Sequence, residues 1–131
     1  MPARPTMEQR FRDWRAAHHT DRNRSLSDHQ SDVFLWEEEQ PVRIGRVERE
    51  VAKTFGGFVR WNGYCEAACH GVLSVTDDLW GADTRDEAVD TVVRAHWYAL
   101  QGWSCSRIRS TLERLTKEVR GADRPGGADA R

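Results

Sequence analysis

The run Thr84-Arg85-Asp86-Glu87 constrains what this chain can fold into more than any other four residues in it. A Thr followed three residues later by Glu, ahead of a periodic apolar run, is a capping box. The hydroxyl and the carboxylate each satisfy a helix-end N–H that has no partner inside the helix. A helix therefore starts at Thr84. Val89, Val92, Val93, His96, Leu100 and Trp103 recur at the spacing of one helical face, and Gly102 supplies a C-terminal cap. A last helix starts near Ser104 or Ser106, carries Ile108, Leu112, Leu115 and Val119 on one stripe, and ends at Gly121.

What precedes Thr84 follows a different rhythm. Val33-Phe34-Leu35-Trp36 is too short for a buried helix and is stopped by Glu37 to Glu39 and Pro41, so it reads as a strand. The segment 42–55 is ambiguous. Ile44, Val47, Val51 and Phe55 fit helical spacing, while Val47, Val51 and Phe55 also share one face of a strand. Gly56-Gly57 favours a hairpin there, because the aromatic and β-branched run from Phe58 to Tyr64 needs a strand to pair with. His70 to Thr76, with Val72, Leu73, Ser74 and Val75, forms a further strand, and Asp77-Asp78 a turn. At the start of the chain Met7, Phe11 and Trp14 mark a short helix. Residues 18–30 have no apolar period and read as a linker that leaves this helix free to dock, to swap or to stay mobile.

The expected fold is α+β: a small antiparallel sheet of three to four strands packed against two C-terminal helices, with a short N-terminal helix. Residues 1–30 form that helix and its linker, 31–120 a single domain, and 121–131 a disordered tail. A chain of 131 residues has room for one such core.

The chemistry is less marked than the fold. Lys plus Arg number 20 against 21 Asp plus Glu, so no whole-chain field draws the protein to nucleic acid or an anionic membrane. Lys53 and Lys117 are the only lysines; the arginine bias fits a GC-rich coding background or recognition by planar guanidinium forks. No apolar run reaches the roughly 18 residues of a membrane span. Three cysteines and no apolar run in Met1 to Thr6 suggest reduced thiols in the cytoplasm. No nucleophile elbow or phosphate-cradling glycine loop is present, so no catalytic residue and no cofactor is expected. Cys65-x3-Cys69 has the spacing of a zinc pair that His70, His96 or Cys105 could complete. The same residues serve equally as small buried hydrophobes and a core histidine. The six tryptophans are many for this length. Trp61 and Trp80 on neighbouring strands, with Arg60 and Tyr64, are the candidate partner-binding residues, because Trp and Arg dominate interface hot spots; shared core packing is the alternative.

Two local resemblances add to this. Leu100-Gln101-Gly102-Trp103-Ser104, then Ile108 and Leu112, resembles the first two helices of resolvase-like helix-turn-helix domains over residues 97–115. The resemblance implies DNA binding. No recognition helix follows Leu115, so the phosphate contacts would come from Arg107, Arg109, Arg114, Lys117 and Arg120 on the last helix itself. Residues 57–101, with two strands before Gly-Ala-Asp-Thr-Arg-Asp-Glu-Ala-Val, resemble the HicB antitoxin domain, which implies an antiparallel sheet lying on the Thr84 helix. The functional expectation is a non-enzymatic protein-interaction module, a small regulatory or accessory protein of a bacterial mobile element or phage. Its partner is another protein, with no membrane and with a homodimer left open. The alternatives are a nucleic-acid-binding regulator using the basic C-terminal helix and a small zinc-binding protein.

Overall fold

The structure, a computed structural model, describes residues 4–18, 20, 25–27, 30–37, 39–52, 58–69, 71–74, 82 and 84–123. Within these elements the structure describes the backbone alone for residues 25–27, 37, 52, 58–59, 67–69, 71–74 and 119–123. Five strands follow one another as an antiparallel meander: β1 (Ser25–Ser27), β2 (Gln30–Glu37), β3 (Gln40–Ala52), β4 (Phe58–Cys69) and β5 (Gly71–Ser74). The helix α1 (Met7–Ala17) precedes them, and α2 (Arg85–Leu100) and α3 (Cys105–Asp123) follow. The architecture is α+β, with a sheet wider than the expected three to four strands. The additional strand is β1, inside the segment that reads as a linker: Ser25 lies opposite Ser31 and Ser27 opposite Gln30. Its polar sequence carries no periodic signal, because pairing of so short an edge strand rests on backbone hydrogen bonds.

The ambiguous segment is strand throughout. A bulge explains why it mimics a helix. Val33 faces Gly45 and Phe34 faces Arg43, so Ile44 is an extra residue on β3. The insertion lets Ile44 and Val47, three apart, both be buried. Ala52 lies opposite Phe58; the Gly56-Gly57 turn and Asp77-Asp78 lie outside the described residues.

Alternation sorts the sheet into two faces. Ser31, Val33, Leu35, Val47, Gly63 and Cys65 are buried on the face that carries α2. Gly45 sits on that face too, where the Cγ1 of Val92 comes within 2.9 Å of where a Cβ would stand. The Thr84 hydroxyl accepts from the Glu87 backbone N–H, one of the two bonds of the expected capping box. Substituting such a cap costs about 1 kcal/mol. Gly102 takes φ +85°, and Ser104 caps α3 by accepting from the Arg107 N–H. α3 runs beyond the expected end at Gly121 to Asp123, so the first residues of the expected tail are helical; residues 124–131 lie outside the described ones.

α2 is buried more widely than one stripe. Ala88, Val92, Val93, Ala95, His96, Trp97 and Tyr98 are all buried, while Leu100, expected in the core, is 58% exposed. The reason is its central position, which gives it a sheet on one side and helices on others. Arg94, about 200° round the helix from Val92, points to α1. Its Nη1 donates to the Glu8 carboxylate at 2.9 Å and to the Tyr98 hydroxyl at 3.3 Å, and its guanidinium lies 4.2 Å from the centre of the Phe11 ring. Burial opposes that charge, but the hydrogen bonds to Tyr98 and Glu8 outweigh it and raise the pKa above the ordinary guanidinium value. Arg15 pairs with Asp90 at 3.2 Å, and the rings of Phe11 and Trp14 pack against Trp97 in tilted arrangements. The N-terminal helix is therefore docked, not free. Its own start is a second capping box, Thr6 with Gln9, legible in the sequence but overlooked beside the Thr84 signal.

Cys65 is a buried cysteine outside any disulfide. Cys105 is disulfide-bonded, which corrects the expectation of reduced thiols throughout; its partner sulfur is outside the described side chains. A chain with three cysteines should then show one reactive thiol when denatured without reductant and all three after reduction. Titration with a thiol reagent reads this directly, and three thiols in the unreduced protein would refute the bond. Because cytosolic thiol buffers keep most such bonds reduced, the count also bears on the compartment.

Candidate functional site

The face of the sheet turned away from α2 is built by the residues that alternate with the core. β2 contributes Asp32, Phe34 and Trp36; β3 contributes Arg43, Arg46, Glu48 and Glu50; β4 contributes Arg60, Asn62, Tyr64 and Glu66. These side chains are half-exposed or exposed. They are bound to one another across the strands. Arg43 bridges Asp32, at 3.1 Å, and Glu66. Arg46 pairs with Glu48 at 3.1 Å and Glu66 at 3.5 Å, and its guanidinium lies 4.7 Å from the centre of the Tyr64 ring. Arg60 donates to both carboxylate oxygens of Glu50 at 3.3 Å, and the Asn62 amide donates to the same carboxylate at 2.6 Å. The Asn62 hydrogen bond, then Arg60, hold the Glu50 carboxyl below its ordinary pKa, so that corner of the lattice stays charged in mild acid. At the end of the face Trp36, opposite Pro41, is 38% exposed.

The sequence-predicted residues divide between the two faces. Arg60 and Tyr64 lie on this open face. Trp61, one residue from Arg60, points the other way: it is partly buried against the core, and its backbone pairs with Ala82. Trp80 lies outside the described residues. Adjacent residues of one strand cannot share a face, so the grouping of Arg60 with Trp61 could have been split from sequence. Trp36 was the missed residue. Its parity with Phe34 marks it, but the outward sense of that parity depends on the β2–β3 register.

Only part of the zinc alternative falls among the described residues. Cys65 is buried in the sheet and His96 in α2; the side chains of Cys69 and His70 are not among those described. Among the described residues no group of three or more His, Cys, Asp or Glu could hold a metal ion. A cleft of about 70 Å³ lies beside the start of α2, lined by Arg15, Thr20, Asp32, Val33, Arg85, Asp86, Val89 and Asp90. It has room for about five water molecules.

On α3, Arg107, Arg109, Arg114 and Lys117 are all exposed, and the side chain of Arg120 is not described. Arg107 lies 3.6 Å from the centre of the Trp103 ring, which in turn stacks on Tyr98 at 4.4 Å, so the turn after α2 is locked by a three-layer stack. Arg109 pairs with Glu113. No described helix is long and apolar enough to cross a membrane.

No family model matches this chain, and neither a curated protein nor a solved structure resembles it closely enough to count as a match. The functional reading rests on the surfaces themselves.

Proposed function

We propose that this chain is a protein-binding module that engages another protein through the open face of its sheet. The carrying observation is that one face carries an exposed Trp36 at its end and, around Arg46, a Tyr64 ring beneath a guanidinium and arginines already neutralised by carboxylates on the sheet. Trp, Tyr and Arg are the side chains most enriched where binding energy concentrates. A face whose cations are internally paired presents no net positive field, which argues against a polyanion as its ligand. Ion pairs of this kind can instead exchange partners with complementary charges on a protein and set its register.

The test is affinity capture from the native host with the wild-type chain, Trp36→Asp and Arg46→Glu, each checked by thermal melting. A specific protein partner should be recovered with wild type and lost with Trp36→Asp, because removing an aromatic anchor costs about 2 kcal/mol, roughly 30-fold in affinity. Recovery of every captured protein by both variants would overturn the reading.

A further inference from the structure

The cations of this protein are not evenly neutralised. Arg15, Arg43, Arg46, Arg60, Arg94 and Arg109 each have a carboxylate within salt-bridge distance. On α3 the position differs. At about 100° per residue, Arg107, Ser110, Arg114 and Lys117 fall within roughly 80° of one another on the side opposite Ile108 and Leu112. All four are exposed, while Ile108 and Leu112 are buried. Among the described residues no carboxylate pairs with Arg107, Arg114 or Lys117; Glu118 flanks the stripe, and Glu113 is engaged by Arg109 on the other flank.

We propose that this stripe of α3 binds the phosphate backbone of duplex nucleic acid without reading its sequence. The ten steps from Arg107 to Lys117 rise about 15 Å, comparable to the roughly 12 Å width of a major groove, so the ends of the stripe reach phosphates on either side of it. Arg107 is pre-positioned by its stack on Trp103, and the Ser110 hydroxyl adds a donor of the type that contacts phosphate oxygens. An anionic membrane fits less well. A helix that lies in a bilayer surface buries its apolar side in the lipid, and here that side is occupied by the core. The stripe is separate from the open sheet face, so each reading stands or falls alone.

The experiment is fluorescence anisotropy of a labelled random-sequence DNA duplex titrated with the full chain at several salt concentrations. Three phosphate contacts give a slope of log K against log salt near about −2.7, which is roughly 40-fold weaker binding at about 200 mM than at about 50 mM salt. In Arg114→Glu/Lys117→Glu at most one contact remains, and the same change in salt should weaken binding no more than roughly 3-fold, from a much lower starting affinity. Arg12→Gln, an exposed cation on α1 and off the stripe, should keep the wild-type slope. Absence of binding at low salt, a slope unchanged in the double variant, or binding to phosphatidylserine vesicles with none to the duplex would each overturn the proposal.

Discussion

Gly45→Ala should melt well below wild type, by roughly 10 °C, although it adds a single methyl group. A Cβ at Gly45 would stand 2.1 Å from the Tyr64 carbonyl oxygen, 2.9 Å from the Val92 Cγ1 and 3.2 Å from the Cys65 Cα. Overpacking typically costs about 1–3 kcal/mol when side chains can move aside. Here the closest atom belongs to the β4 backbone, held in register with β3 by pairs such as Arg46 with Tyr64 and Gly45 with Cys65. About 3 kcal/mol is therefore the expected cost, because either the ladder opens or α2 lifts from the sheet. Val92→Ala in the same chain would relieve the contact with α2 and leave the carbonyl clash, so it should not rescue the melting temperature. Calorimetry of the two single variants and the double variant settles this. Gly45→Ala melting within about 2 °C of wild type would show that neither contact constrains the site, and full rescue by Val92→Ala would show that the helix–sheet contact, not the β4 backbone, sets the limit.

That contact also shows what the sequence reveals and what it hides. The start of α2 was legible because capping is local: Thr84 and Glu87 are three residues apart, and the bond between them forms as expected. β2 was legible as a strand from its short apolar run, Val33 to Trp36, and alternation holds through its buried Ser31, Val33 and Leu35. Alternation failed at β3, where one bulged residue, Ile44, shifts the parity and counterfeits a helix. The open face was legible only in fragments. Arg60 and Tyr64 were found, but Arg46, Glu66 and Trp36 belong to it through cross-strand register, which no single segment encodes. Val92 did stand on the predicted face of α2, yet its seat against Gly45 is a contact between elements far apart in the chain. α3 is the opposite case: its basic residues were all visible, and the structure separated Arg109, tied to Glu113, from the unpaired stripe.

Trp97→Ala should detach α1. The ring is 3% exposed and sits with Phe11 at 5.5 Å, Trp14 at 6.4 Å and Tyr98 at 5.6 Å between centroids, with Arg10 over it at 6.0 Å. Truncating a buried Trp to Ala costs about 3–5 kcal/mol, and the loss depends on how far the surroundings collapse into the space. Here the collapse is restricted on one side only. α2 is held by the sheet through Val92, but α1 is an eleven-residue helix, below the length at which an isolated helix is stable in water. The ion pairs Arg94–Glu8 and Arg15–Asp90 are partly exposed, and pairs of that kind contribute about 0–1 kcal/mol each, too little to hold α1 without its aromatic contacts. Hydrogen exchange should therefore lose protection across Arg10 to Ala17 while Val92 to Tyr98 stays protected by the sheet. Arg94→Met should weaken the same amides much less, because it removes the hydrogen bonds to Glu8 and Tyr98 but keeps Phe11 and Trp14 against Trp97. Unchanged α1 protection in Trp97→Ala, or equal loss in both variants, would mean that charge rather than aromatic packing docks the helix.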